Sequence, residues 1–193
     1  MPFGYRPVTS VNGKETVRSE VKMVLAGITP EQRLKRSHDL ETNLFNLLSS
    51  LDTSAHPLKV VGLFLPYRSE PRWALGRWSA FPWRLSYPAQ KEDDPGYRFP
   101  KDQLPASGPY LECEGEVAKP DVLIVPGLAF SEEGFRLGRG KGWYDRFLEF
   151  QRPPLGCVGV CFEDQVRGGW NSDSHDRKMD IIVTEQRVRH CPR

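Results

Sequence analysis

Four short apolar runs constrain this chain more than any other feature. They are "LKVVGLFL" (residues 58–65), "DVLIVPGLAF" (121–130), "LGCVGVCF" (155–162) and "MDIIVTE" (179–185). Each is rich in valine, isoleucine and leucine, and none alternates cleanly between apolar and polar residues. Such runs suit strands buried on both faces, as in a parallel sheet covered by helices. Helical patterns precede the first run and separate the second from the third. The expected fold is therefore α/β, a mostly parallel sheet sandwiched by helices.

Two helices should come first. In residues 14–27, Val17, Val21, Val24 and Leu25 recur at helical spacing, Gly27 suits a stop, and Lys14, Arg18 and Lys22 form a second, basic stripe. In residues 29–51, Thr29 can act as N-cap, with Pro30 as first helical residue and Gln32 completing a capping box. Leu40, Leu44, Leu47, Leu48 and Leu51 form its buried stripe. Residues 71–119 carry many prolines and three tryptophans, Trp73, Trp78 and Trp83. Proline argues against long regular elements, so short strands and loops lying over the sheet are expected there.

The length of 193 residues suits a single domain over residues 1–193, with residues 1–13 as a polar N-terminal arm. The formal net charge of +2 excludes the strong basic bias of a general nucleic-acid binder. A function resting on positive charge must use a local cluster. Of the four cysteines, Cys113, Cys157, Cys161 and Cys191, no two form a CxxC pair, which argues against zinc. Cys157 and Cys161 are four apart on an expected strand and should share one buried face. The start lacks the apolar run of a signal peptide, and no segment has the apolar length to cross a bilayer. A soluble cytoplasmic protein without membrane partners is expected.

The candidate site centres on "RLGRGKGWYDRF" (136–147), just beyond the second expected strand. Glycines at 138, 140 and 142 let backbone approach a ligand and take positive φ. Arg136, Arg139 and Lys141 supply charge matching phosphate oxygens. The spacing is neither a Walker A loop nor a dinucleotide fingerprint, and a solvated turn is the alternative. Asp145 is placed either as a magnesium carboxylate or as an ordinary acid of a first helical turn. Asp176 offers a second metal carboxylate or a helix cap, and neighbouring His175 reads best as a loop residue. Glu70, in "FLPYRSEP", follows the first strand and would share the rim with the glycine loop, or else lie on the surface.

Taken together these stretches resemble the 5-formyltetrahydrofolate cyclo-ligase family. "DVLIVPGLAFSEEGFRLGRGKGWYDRF" matches its central signature, Lys14 and Arg18 its early basic pair, "LFLPYRSEP" its first strand end, and "HDRKMDIIVTE" its late block. The resemblance implies a NagB/RpiA/CoA-transferase-like fold, ATP and magnesium as cofactors, and 5-formyltetrahydrofolate as substrate, in a monomer or weak dimer. By position it implies ATP contacts from Lys14, Arg18 and the run Arg136, Leu137, Gly138, Arg139, Gly140, Lys141, Gly142, Trp143 and Tyr144. It implies folate contacts from Leu65, Glu70, Arg139, Gly140, Lys141, Gly142 and Trp143, magnesium on Asp145 and Asp176, and charge stabilisation during phosphoryl transfer by Lys141 and Arg139.

The chain departs from the family pattern at Trp143, where a tyrosine is expected, and at Ser131, where an aspartate is. The family's Glu-Pro element stands here as Glu112–Cys113. A sugar-phosphate isomerase or CoA transferase on the same fold, and a non-catalytic folate- or nucleotide-binding relative, are the alternatives.

Overall fold

The computed structural model describes residues 13–91, 94–100, 110–111, 115–140, 142–168, 170–172 and 176–192. Helix α1 (Lys14–Ala26) leads to α2 (Pro30–Leu51). The capping box at α2 forms as the sequence requires: Thr29 accepts from the Gln32 amide at 3.2 Å, and the Gln32 side chain accepts from the Thr29 amide at 3.0 Å. Gly27 ends α1 with φ −75°, so it stops the helix without a left-handed turn.

The strands that follow are β1 (Val60–Gly62), β2 (Arg84–Lys91), β3 (Asp94–Arg98), β4 (Val117–Ala118), β5 (Val122–Pro126), β6 (Ala129–Phe130), β7 (Arg136–Leu137), β8 (Cys157–Val160), β9 (Ile181–Val183) and β10 (Val188–His190). A short helix α3 (Leu75–Trp78) precedes β2, and α4 (Trp143–Phe150) lies between β7 and β8. Eight strands form one sheet in the order β10-β9-β8-β5-β1-β2-β3-β4. The central five pair in parallel, and β10, β3 and β4 are added antiparallel at the two edges.

The unalternating runs are explained by burial on both faces. Val122 and Ile124 of β5 pack with the α2 leucines, while Leu123 and Val125 pack with Phe147 and Leu148 of α4. Val158 and Val160 join the α2 side, and Cys157 and Cys161 the α4 side. Both cysteines are fully buried as expected, and burial pushes the Cys157 thiol up to about 12. Helix α1 instead covers the small β6–β7 hairpin, with Val17, Val21 and Leu25 against Ala129, Leu137 and Phe162. That packing carries the basic stripe of α1 to the rim of the sheet.

Two expectations need correction. The run 121–130 is two elements. β5 ends at Pro126 and the chain turns at Gly127, where a Cβ would sit 2.7 Å from the Phe130 ring. In the middle segment, the described stretches β2, β3 and β4 do not lie over the sheet but extend it. β2 is an inner strand whose buried Ser86 hydroxyl donates to the Val61 carbonyl at 3.3 Å. No helix among the described residues is long and apolar enough to cross a membrane.

Candidate functional site

The strand order reverses between β1 and β5. From β1 the chain continues to β2 on one side, and from β5 to β8 on the other. Loops leaving neighbouring strands in opposite directions open a crevice beyond their carboxyl ends, where open α/β sheets bind ligands. A cleft of ≈ 330 Å³ occupies that place. One wall is the loop after β1, with Phe64, Leu65, Tyr67 and Glu70. The opposite wall is Arg136 to Gly140, and the start of α4 from Gly142 to Asp145 closes its end. Lys14 and Arg18 of α1 and Asp176 before β9 complete the rim. The cleft thus gathers every described residue that the sequence nominated. Lys141, Ser174 and His175 lie outside the described residues, as do Glu112 and Cys113.

The glycine loop owes its path to two left-handed residues. Gly140 has φ +94° and Gly142, the N-cap of α4, has φ +62°. Other residues adopt such backbone only with strain. Arg18 Nε donates to the Gly138 carbonyl at 3.0 Å, which fastens the loop to α1.

Charge dominates the site. Four described cations line the cleft, Lys14, Arg18, Arg136 and Arg139, against three carboxylates, Glu70, Asp145 and Asp176. Each of these carboxylates is paired. Lys14 Nζ is 2.7 Å from Asp176 Oδ2, Arg136 Nη2 is 2.9 Å from Asp145 Oδ2, and Arg139 Nε is 3.3 Å from Glu70 Oε1. The Arg136 side chain is only 6% exposed, and its Nε is buried without a hydrogen-bond partner. A buried guanidinium with an unmet donor suits a site that receives an anion.

Glu70 is held by the Tyr67 amide, which donates to Oε2 at 2.9 Å, and by Arg139. Burial outweighs both and raises its carboxyl above the ordinary 4.5. The folded carboxyl holds its proton more tightly than the unfolded one. Its contribution to stability is complete below pH 4.5 and is lost as pH rises through the folded value. Glu70→Gln removes the buried charge and keeps an acceptor for the Tyr67 amide. Urea unfolding between pH 4 and 8 should show the wild type losing stability relative to this variant as pH rises. Superimposable profiles would mean that Glu70 is not held in this way.

The aromatic residues divide the site differently from the expectation. Trp143 is 3% exposed and belongs chiefly to the core, stacked on Phe147 at 5.6 Å with Tyr97 edge-on at 5.9 Å. Ser131, in place of the family aspartate, accepts from the Phe135 amide at 3.2 Å and shapes the β6–β7 turn. Phe64, Tyr67 and Tyr110 line the cleft but were not nominated from sequence. Tyr67 was legible as an aromatic just past a strand end, whereas Tyr110 lay in the segment without pattern.

Residues 97–185 match the family model described as the 5-formyltetrahydrofolate cyclo-ligase family. The probable 5-formyltetrahydrofolate cyclo-ligase of Schizosaccharomyces pombe is 35% identical over 79 residues, covering 35% of this chain and 39% of that protein. The 5-formyltetrahydrofolate cyclo-ligase of Saccharomyces cerevisiae is 39% identical over 89 residues, covering 42% and 40%. The NMR structure of Aquifex aeolicus 5,10-methenyltetrahydrofolate synthetase extends the likeness, with 28% identity, a TM-score of 0.77 and 93% of each chain covered. Residues 97–185 thus carry a likeness to the 5-formyltetrahydrofolate cyclo-ligase family, and the fold of the Aquifex aeolicus synthetase is shared along the chain. The aligned segments span well under half the length of these curated relatives. A Mycoplasma pneumoniae 5,10-methenyltetrahydrofolate synthetase, 17% identical with a TM-score of 0.71 over 89% of this chain and 98% of that one, shares the fold.

The likeness makes ATP and magnesium, the groups expected from the sequence, the ones to test against the cleft. Asp145 and Asp176 are hard oxygen donors on one cleft, and magnesium takes one or two carboxylates with phosphate oxygens completing its shell. Among the described residues no three acidic, histidine or cysteine side chains cluster as a metal cage of their own. The donor set therefore fits a metal that arrives with phosphate, and the cations around it fit the phosphates.

Proposed function

We propose that this chain converts 5-formyltetrahydrofolate to 5,10-methenyltetrahydrofolate in an ATP-dependent reaction that releases ADP and phosphate. One observation carries the reading: blocks far apart in sequence, at residues 14–18, 65–70, 136–145 and 176, meet in one cleft at the strand-order reversal. In the ring closure proposed, the formyl oxygen takes the terminal phosphoryl group of ATP. Nitrogen 10 then attacks the activated carbon, the new C–N bond closes the ring, and the oxygen leaves with phosphate.

The chain's own work is positioning and charge stabilisation. Lys14, Arg18 and Arg136 hold the polyphosphate, while Arg139 and, by the family resemblance, Lys141 stabilise charge on the phosphoryl group in transfer. Leu65 and Glu70 present the folate wall, and Asp145 and Asp176 hold magnesium. Magnesium, when bound, neutralises charge on the phosphate oxygens. The ion pairs suggest how the ligands enter. Arg136–Asp145 and Lys14–Asp176 keep the cations and carboxylates neutralised; with Mg-ATP bound, Arg136 and Lys14 would hold phosphate and Asp145 and Asp176 the metal. Incubation with 5-formyltetrahydrofolate, ATP and magnesium should produce the methenyl chromophore. Absence of turnover across varied pH and metal overturns the reading. Absence of magnesium-dependent ATP binding in calorimetry would favour a sugar-phosphate isomerase or CoA transferase instead.

A further inference from the structure

Where β5 ends, the chain turns through Pro126, Gly127 and Leu128, and all three line the cleft. The Leu128 amide donates to the Leu137 carbonyl at 2.8 Å, so the turn runs straight into the hairpin that carries Arg136. The turn also packs against that arginine, since a Cβ on Gly127 would lie 3.2 Å from Arg136 Cγ.

One side chain takes both carbonyl oxygens of this turn. Gln165 Nε2 donates to the Gly127 carbonyl at 2.9 Å and to the Leu128 carbonyl at 3.0 Å, while its Oε1 accepts from the Phe162 amide at 2.8 Å. Two donors and an acceptor on one uncharged side chain require a carboxamide. Gln165 is 2% exposed and does not line the cleft, so it draws both carbonyls away from the cleft and into the core. The 3-10 turn that carries it, Glu163–Gln165, is itself pinned. Glu163 accepts from the Thr184 hydroxyl at 2.7 Å and from Arg189 Nη1 at 3.0 Å, and the Arg167 amide just beyond donates to the Phe130 carbonyl at 2.8 Å.

The consequence falls on Arg136. Its guanidinium pairs with Asp145, yet its buried Nε has no partner. Side chains bond to backbone more often than to one another, but the carbonyls of the turn packed against Arg136 are already held by Gln165. We propose that Gln165 is a positioning residue for anion binding: it keeps the backbone from capturing the Arg136 guanidinium, which stays available to exchange Asp145 for phosphate. The inference rests on the proposed reading of the cleft as a polyphosphate site. Without Gln165 two buried carbonyls lose their donors, and a buried acceptor left unmet is costly. Arg136, beside them with an unmet donor, is the group they would bind.

A double-mutant cycle tests this by calorimetry, without turnover. Gln165→Met keeps the length of the side chain and removes its polar atoms. It should weaken Mg-ATP and inorganic tripolyphosphate binding about tenfold, the scale of one hydrogen bond to a charged group. In an Arg136→Lys background, which has no guanidinium to capture, the same substitution should cost about twofold or less. A merely structural role would lower the fraction of protein able to bind, read as stoichiometry, and would act alike in both backgrounds. Gln165→Asn, one carbon shorter, cannot span the Phe162 amide and both carbonyls, and the cycle run with it decides the matter if the methionine variant does not fold. Unchanged affinity, or an equal loss in both backgrounds, overturns the role of Gln165 alone. Wild-type protein that binds neither Mg-ATP nor tripolyphosphate overturns the polyphosphate reading and this role with it.

Discussion

Asp145→Ala is expected to lower turnover by at least about a hundredfold, the scale of losing a group that stabilises charge in phosphoryl transfer. The aspartate stands in the first turn of α4, beyond the left-handed Gly142, with its side chain 29% exposed at the cleft end. It also neutralises Arg136, whose guanidinium is nearly enclosed. Removing the carboxylate therefore has two consequences. Under the proposed assignment the metal would lose an oxygen ligand, and a buried cation loses its partner. The second should cost about 1–3 kcal/mol, less than for a fully buried pair because Asp145 is partly hydrated.

Asp145→Asn separates the two effects. The amide oxygen still accepts from Arg136 and the volume is unchanged, so most of the stability should return. An amide is a poor magnesium ligand beside a carboxylate, so turnover should stay low and need more magnesium to saturate. The measurements are kcat against magnesium concentration and the urea midpoint of both variants. A near wild-type rate in the asparagine variant would remove Asp145 from the metal site. Lys141→Ala should produce a rate loss of the same order, because the family resemblance assigns Lys141 to charge stabilisation in phosphoryl transfer.

What was legible in the sequence was whatever depended on neighbours along the chain. Thr29, Pro30 and Gln32 cap α2 because the bonds involved span three residues. The runs of β5, β8 and β9 declared themselves because burial on both faces admits little but apolar side chains. The strands β2 to β4 were hidden for the opposite reason. Arg84–Lys91 carries Pro88 and a buried serine, and only the partner strands explain them: Ser86 bonds across to β1, while Pro88 pairs opposite Tyr97 of β3. The site divided likewise. Glu70, Asp145 and Asp176 sit near strand and helix ends and could be nominated singly, yet their pairing with Arg139, Arg136 and Lys14 spans 69, 9 and 162 residues. Arg33 and Arg68 carried no local signal, because the depression they line exists only where α1, α2 and a loop converge.

Glu41 shows how deeply an unremarkable residue can be committed, and Glu41→Ala is expected to destabilise the protein by about 3–5 kcal/mol. In sequence it is one more acid on a charged helix. In the structure it is 1% exposed. Its Oε1 accepts from the Ala74 amide at 3.0 Å and the Trp78 indole at 2.7 Å, and its Oε2 accepts from Arg77 at 2.7 Å. Alanine would orphan two donors, one on the indole of the buried Trp78, and leave a cavity beside the Trp78–Phe45 contact at 4.8 Å. Arg77, 29% exposed, can rehydrate and adds less. Glu41→Gln keeps an acceptor for the two donors but turns its NH₂ toward Arg77, so about 1–2 kcal/mol is expected. The effect should reach the cleft. Arg33, Ser37 and Glu41 recur every four residues along α2 and bond in turn to the Ser69 carbonyl, the Arg72 amide and the Ala74 amide. One helix face thus pins the segment that carries Glu70. Urea midpoints for both variants, with the KM for folate measured well below the transition, check the chain of dependence. An alanine variant as stable as wild type would break its first link, and an unchanged KM would break its last.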